Sequence, residues 1–145
     1  IEYYEISKFM DNAFKFKVMR KEPIIVGIPE TNPLVNKKEL TINDILPYEI
    51  ALERKGISEM GDKVTNYIVE SFPKIKLKSY GVYNSSFFTT AQFKQQLIIA
   101  SSGMAQYMYP YKVKPLKLGI DIHALYGFYY RKRPSKSVMQ FLNSL

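Results

Sequence analysis

The hydrophobic residues between positions 57 and 78 change from a helical to a strand period, which constrains the fold more than any other feature. They first recur at steps of three and four, as one buried helical face requires. These residues are Ile57, Met60, Val64, Ile68 and Phe72. We expect this helix to begin near Glu49 and to end at Pro73. Residues 74–78 then alternate lysine with aliphatic side chains, which predicts a strand with one solvent-exposed face.

Weaker patterns predict the remaining elements. Residues 40–46 and 120–124 indicate strands, whereas residues 90–100 fit either a helix or a strand, and periodicity alone does not decide. Ser101 or Ser102 can cap a short helix that Pro110 would end or kink. Ser135 can cap a terminal helix, whose apolar face consists of Val138, Phe141, Leu142 and Leu145.

With a strand at 90–100, the order becomes strand, helix, strand, strand, helix, strand. The economical arrangement is an α+β fold of the split βαβ, ferredoxin-like type: a four-stranded sheet with two helices on one face. Residues 1–38 are interpreted as an N-terminal extension with a short aromatic helix and a loop around Gly27 to Pro33. Residues 39–126 form the predicted α+β domain, and residues 127–145 a basic tail with a short helix.

Charge is unevenly distributed along the chain. Residues 39–73 carry seven acids and three basic residues, whereas residues 74–145 carry eleven Lys or Arg and one acid. The net charge of +8 is therefore concentrated in the second half, which by itself carries +10. A folded domain with one basic side most often faces a polyanion.

Three basic clusters are the candidate RNA-binding residues. They are Lys74, Lys76 and Lys78; Lys112, Lys114 and Lys117; and Arg131, Lys132, Arg133 and Lys136. Such side chains would neutralise phosphates without reading bases. The first cluster can equally be a solvated sheet face that discourages edge-to-edge aggregation. The rings at Tyr126 and 128–130 can stack on an exposed base, although packing of the terminal helix explains them more simply.

Several other kinds of site find no support. The absence of cysteine excludes a disulfide framework, a zinc knuckle and thiol catalysis. Asp121 and His123 share a strand face, but a nucleophile and an oxyanion site are missing, so no enzyme is expected. No glycine-rich phosphate loop occurs, and no stretch approaches the roughly 18 apolar residues of a membrane helix. We therefore expect no catalytic residue, metal, cofactor or membrane contact.

The order of elements and the residues in them resemble the S-ten family of ribosomal proteins, above all its branch in the mitochondrial large ribosomal subunit. The matching segments are residues 40–49, 74–83, 88–93 and 116–122. The last resembles the final strand of the family, entered through a Leu-x-x-Gly-Val/Ile-x-Ile/Leu pattern. Residues 128–134 resemble the Phe-x-x-Arg-x-Arg-Pro tail of the large-subunit branch, and the proline-rich loop of small-subunit members is missing.

The resemblance implies a non-catalytic structural constituent of the mitochondrial large ribosomal subunit, placed in its central protuberance. It would be an RNA-binding component of this translation ribonucleoprotein in the mitochondrial matrix. Its partners would be rRNA and neighbouring mitochondrial ribosomal proteins, without a small-molecule substrate. Two alternatives stay open: an S-ten-like protein of the mitochondrial small subunit, and a viral or plasmid nucleic-acid-binding assembly protein.

Overall fold

The computed structural model of the chain describes residues 2–5 and 12–145. Its strands are β1 (Glu2–Glu5), β2 (Phe14–Pro29), β3 (Glu39–Leu40), β4 (Ile50–Glu53), β5 (Leu77–Tyr80), β6 (Leu97–Ser101), β7 (Val113–Leu118) and β8 (His123–Arg131). Its α-helices are α1 (Ile42–Ile45), α2 (Glu59–Ser71), α3 (Ser85–Phe93), α4 (Ala105–Met108) and α5 (Lys136–Ser144). Single 3-10 turns lie at Pro33–Asn36, Ser102–Met104 and Tyr109–Tyr111.

The strands form a mixed main sheet with a narrower ribbon extending from it. In the main sheet the order is β3-β7-β2-β6-β4-β5. Strands β4, β5 and β6 are parallel, β3 is parallel to β7, and β2 is antiparallel to both of its neighbours. The first half of β2 leaves this sheet and pairs with β8, which also pairs with β1. We call β1, β8 and the first half of β2 the ribbon.

Helices cover both faces of the main sheet. On one face, α2 packs Met60, Val64 and Ile68 into a core built from alternate residues of the strands. On the other face, α3 packs Phe87, Phe88 and Ala91 against a second core that contains Met108 of α4. The central strands are therefore continuous runs of buried residues, 24–29 in β2 and 97–101 in β6, as expected for strands covered on both faces.

The predicted four-stranded split βαβ sheet with helices on one face is wrong. The loop predicted around Gly27 to Pro33 overlaps the central strand β2, and Gly27 and Pro29 lie within its buried run, residues 24–29. An added Cβ on Gly27 would come within 2.8 Å of Met108 and Val113. This glycine therefore marks close packing between layers and does not mark a turn.

Four other elements differ from the sequence prediction. The strand predicted at 74–78 lies at Leu77–Tyr80, and the strand predicted at 120–124 begins only at His123. Residues 42–45 are helical, because the backbone N–H of Thr41 donates to the Asp44 carboxylate at 2.8 Å and stabilises a helical turn. Residues 50–53 were predicted as part of the helix, but they form β4 and pair with β5 and β6. The helix itself begins at Glu59, after Ser58 accepts a hydrogen bond from the N–H of Gly61.

The buried face of α2 and the cap of α5 are confirmed. Helix α2 buries the expected face and ends before Pro73, and Ser135 caps α5 by accepting from the N–H of Val138. The ambiguous segment 90–100 contains both elements, since α3 ends at Phe93 and β6 starts at Leu97. Residues 2–5 form a strand where a helix was predicted, and the rest of that prediction falls on residues 6–11, outside the described residues. The domain boundaries after residues 38 and 126 stay predictions.

Candidate functional site

The parallel strands β4, β5 and β6 end at the same edge of the sheet, and a crevice of about 300 Å³ opens there. The chain passes from β4 through α2 on one face to β5, and then through α3 on the opposite face to β6. The connection that leaves β4 and the connection that leaves β6 therefore run in opposite directions along the sheet. In open sheets with helices on both faces, ligands bind at this kind of reversal, outside the carboxyl ends of the strands.

The ends of the three strands supply most of the crevice lining. Its residues are Glu53, Ile57, Met60, Gly81, Val82, Tyr83, Ala100, Ser101 and Met104. Helices α2 and α3 begin beside it, and Ser58 and Asn84 cap them by accepting from the N–H groups of Gly61 and Phe87, each at 2.9 Å. The lining is thus mostly apolar with a few polar groups, as is typical of small-molecule sites.

Glu53 is the ionisable carboxyl of the crevice. The Ser58 hydroxyl donates a hydrogen bond to it, and a Cβ added to Gly61 would lie 3.0 Å from Glu53 Oε2. Burial raises the pKa of the Glu53 carboxyl, the Ser58 hydrogen bond opposes that effect, and the nearby Asp62 carboxylate raises it further. Asp62 is itself buried and accepts from the N–H of Gly56 at 2.8 Å.

The ribbon reaches the crevice through one hydrogen bond. Ser101, the last residue of β6, lies with its hydroxyl oxygen 2.8 Å from that of Tyr126 on β8. The guanidinium carbon of Arg20 lies 5.9 Å from the centroid of the Tyr126 ring, and Arg20 also pairs with Glu22. The candidate site is therefore coupled to the two long antiparallel strands that leave the main sheet.

A second depression, of about 510 Å³, adjoins the crevice at Tyr83 and Met104; we call it the aromatic cavity. Its lining is Tyr83, Asn84, Ser85, Phe88, Met104, Gln106, Tyr107, Pro110 and Tyr111. The Tyr83 ring stacks on Phe87 with centroids 4.4 Å apart, and its hydroxyl donates to the carbonyl of Ile99 at 2.7 Å. Phe88 stacks on Tyr111 at 5.3 Å. These contacts fix the orientation of the aromatic side chains that line the cavity.

The structure separates the three basic clusters predicted from the sequence. Lys78 lies on β5, the last strand in the sheet order, with Lys74 and Lys76 just before it, whereas Lys114 and Lys117 lie on β7. Three strands lie between β5 and β7 in the sheet order, so at about 4.8 Å per strand the clusters are roughly 19 Å apart. The two β7 lysines also have partners within the chain. Lys114 donates to the Val35 carbonyl and Lys117 pairs with Glu39.

The third basic cluster lies elsewhere again, where β8 ends and α5 begins. Arg131 and Arg133 line an open depression with Phe14, Tyr129 and Tyr130, while Lys132 and Lys136 are exposed beside them. The ten predicted residues therefore form three separate surfaces, and contact of any of them with a polyanion stays a prediction. Of the aromatic residues before the arginines, Phe128 packs on Phe141 of the terminal helix at 5.6 Å, whereas Tyr129 packs on Phe16 of β2 at 4.6 Å.

The other candidate chemistry is sparse. His123 Nδ1 lies 3.8 Å from Asp121 Oδ1, but both side chains are well exposed and lie outside the crevice lining. Within the described residues, no group of three or more His, Asp or Glu is arranged to hold a metal ion. No described helix is long and apolar enough to cross a membrane.

Sequence reasoning missed the crevice, because its residues come from the ends of three strands that are far apart in the chain. A usable signal did exist. Polar residues end the buried runs of β4 and β6 at Glu53 and Ser101, and Gly81 follows β5. With β4 and β6 taken as parallel strands, this pattern would have indicated a shared edge.

No protein-family model matches the chain, and no curated protein sequence matches it. Solved structures do match. The effector-binding domain of QuiR in complex with shikimate superposes with a TM-score of 0.71 at 16% identity, over 97% of this chain and 68% of that one. The BenM effector-binding domain with its effector benzoate gives 0.71 at 15% identity, over 98% and 65%. CbnR, a LysR family transcriptional regulator, gives 0.73 at 12% identity, over 97% and 49%.

These likenesses concern the fold, and the chain spans about two thirds of the isolated effector-binding domains and half of CbnR. The resemblance to the S-ten ribosomal family is wrong, because nearly the whole chain superposes on effector-binding domains and the sheet is not four-stranded. The ribosomal and translation roles, the rRNA and ribosomal-protein partners, and the mitochondrial location were inferred from that resemblance and are wrong with it. The expectation that no small molecule is bound loses the same support.

Proposed function

We propose that the chain is a sensing module that binds a small organic molecule in the crevice, as part of a protein that regulates transcription. The crevice at the reversal between β4 and β6 is the observation that carries the proposal, because its position and its mostly apolar lining suit a ligand site. The fold likeness to effector-binding domains adds support, since two of these were solved with shikimate and benzoate.

Binding without catalysis fits the chemistry of this site. Glu53 is the ionisable carboxyl of the lining, and its hydrogen-bond partner Ser58 caps a helix and donates to it. The lining thus offers no base and nucleophile in the arrangement that acyl transfer requires. The hydrogen bond between Ser101 and Tyr126 offers a route by which occupation of the crevice would reach the ribbon.

Filling the crevice tests this proposal. Gly81 lines the crevice, and a Cβ added there meets nothing within 4 Å, so Gly81→Phe adds a ring at the crevice without a clash at its Cβ. Ser79→Phe is the matched control, because Ser79 is exposed on β5 and does not line the crevice. A mixed library of small acids, amines, alcohols and sugars would be screened by thermal unfolding of the chain.

We expect at least one compound to raise the melting temperature of the wild type and of Ser79→Phe. At a concentration of 100 times Kd, binding stabilises the folded state by about 2.7 kcal/mol, which corresponds to roughly 5–10 °C for a chain of this size. Gly81→Phe should lose that shift while keeping its unliganded melting temperature. Equal shifts in both variants, or none in the wild type, would refute ligand binding in the crevice.

A further inference from the structure

The carboxyl group of Glu53 lies beside the N-terminus of α2. The backbone N–H groups at a helix N-terminus carry partial positive charge and favour an anion there. In this chain the Glu53 carboxyl lies against that terminus, where Ser58 donates to it and Gly61 approaches it closely. Glu59 and Asp62 add two further acids in the first turn of the helix. A carboxylate or phosphate of a ligand would therefore meet like charge where it would otherwise be attracted.

Basic residues do not compensate for this negative charge. The lining of the crevice and of the aromatic cavity, as the described residues define it, contains no Lys, Arg or His. Arg54 and Lys55 follow Glu53 but are exposed and lie outside the lining. The nearest cation on the ribbon, Arg20, pairs with Glu22 and lies over the Tyr126 ring. The net charge of the whole chain is +8, so the acidic character of this site is local.

Aromatic rings complete the surroundings of the carboxyl. Tyr83 lies at the junction of the two cavities; its hydroxyl donates to the Ile99 carbonyl and one face of its ring stacks on Phe87, so a ligand can contact only the opposite face. Phe88, Tyr107 and Tyr111 line the adjoining cavity. Cations bind over the faces of such rings, and aromatic groups beside a carboxylate are a known way to hold an ammonium group.

We propose that the crevice selects a small organic cation, an alkyl- or arylamine whose ammonium group contacts Glu53 and lies over the Tyr83 ring. This inference rests on the proposed function and assigns the ligand class at the same site. The ammonium supplies the counter-charge that Glu53 lacks, and the apolar part of the ligand packs against Ile57, Met60 and Met104. The class differs from the two acids, shikimate and benzoate, that were solved with QuiR and BenM.

The charge preference of the crevice can be tested with three probes that carry the same phenyl ring but differ in charge: benzylamine, benzyl alcohol and benzoate. The methyl groups of Met60 and Met104 line the crevice and report occupation by NMR chemical-shift perturbation during titration of the full chain. We expect benzylamine to shift both methyl signals, benzyl alcohol to bind more weakly, and benzoate to leave them unchanged. In Glu53→Gln the Kd for benzylamine should rise about tenfold or more, as for loss of a charge-assisted hydrogen bond.

Glu70→Gln is the matched control, because it removes an exposed carboxylate from the last turn of α2, outside the crevice lining. It should leave the benzylamine affinity unchanged. Should Glu53→Gln fail to fold, the comparison of the three probes on the wild type decides by itself. Stronger binding of benzoate than of benzylamine would overturn the cation preference and leave the crevice as a ligand site. Unchanged methyl signals with all three probes would overturn this inference, whereas the Gly81→Phe screen judges the proposed function separately.

Discussion

The side-chain hydroxyls of Ser101 and Tyr126 lie 2.8 Å apart and join the end of β6 to the ribbon. Ser101 is buried and lines the crevice, while Tyr126 lies on β8, which pairs with the first half of β2. Arg20 of that strand lies over the Tyr126 ring. The end of β6 is thus joined to the ribbon by a side-chain contact in addition to its backbone pairing with Ile24 of β2.

Removing this hydrogen bond should destabilise the protein measurably. Tyr126→Phe leaves the buried Ser101 hydroxyl without that partner, at a cost of about 1–3 kcal/mol in the free energy of unfolding. Urea unfolding followed by circular dichroism measures the change. Tyr109→Phe serves as the control, since Tyr109 is 63% exposed, and it should change the stability by less than about 0.5 kcal/mol. Equal effects of the two substitutions would show that this hydroxyl pair does not stabilise the fold.

Gly127 permits the close approach of β8 to β2, and alanine should not be tolerated there. A Cβ at this position would overlap the carbonyl oxygen of Lys17 and lie 3.1 Å from Val18 Cα, beside the β-bulge in β2. Both contacts are backbone atoms, so the strands must separate, and we expect a loss of about 2–3 kcal/mol in unfolding free energy. Gly81→Ala, where a Cβ meets nothing within 4 Å, should be nearly neutral. A Gly127→Ala variant as stable as Gly81→Ala would contradict the strand pairing.

Asp44 should make stability depend on pH in the acidic range. The hydrogen bond from Lys37, with a smaller effect of the Thr41 N–H, lowers the pKa of Asp44 from 3.8 to about 2. A carboxyl whose pKa is lower in the folded state stabilises the protein above its unfolded pKa. The stability advantage over Asp44→Asn should therefore be constant above about pH 5 and shrink as pH falls from 3.8 to about 2.

Urea unfolding of both proteins between pH 2 and 7 measures this difference. Lys37→Gln removes the hydrogen bond that lowers the pKa of Asp44 most. In that background the stability advantage over Asp44→Asn should be smaller and should be lost at a higher pH. Asp121→Asn, at a fully exposed carboxylate, is the control for a general effect of removing one negative charge. A difference between wild type and Asp44→Asn that does not vary with pH would exclude this linkage.

Amine binding in the crevice should weaken in acid. Burial raises the pKa of Glu53 in the free protein, and an ammonium group favours the ionised carboxyl, so binding of the amine displaces a proton. The Kd of benzylamine should therefore increase as pH falls through the raised pKa of Glu53, approaching a tenfold rise per pH unit for one linked proton. Benzyl alcohol is the control, because its binding does not require the ionised carboxyl. A Kd for benzylamine independent of pH between 4 and 8 would argue against ion pairing with Glu53.

Local patterns were sufficient where an element depends on its own residues. The apolar period of α2 and the capping serine of α5 predicted both helices, because a helix satisfies its backbone internally and one buried face stabilises it. The same local evidence failed for residues 50–53. This segment was included in the predicted helix, but it pairs with β5 and β6 as a strand.

The sequence by itself determined the buried face of α2, the cap of α5 and the uneven charge of this protein, since these depend on residue types or on neighbours within a few positions. Tertiary structure alone decided that residues 24–29 lie at the centre of the sheet, between strands from positions 97–101 and 113–118. It also brought Glu53, Gly81 and Ser101 to one crevice. The physical reason is that strand pairing joins backbone groups whatever their separation along the chain, and side-chain periodicity does not specify which strands pair.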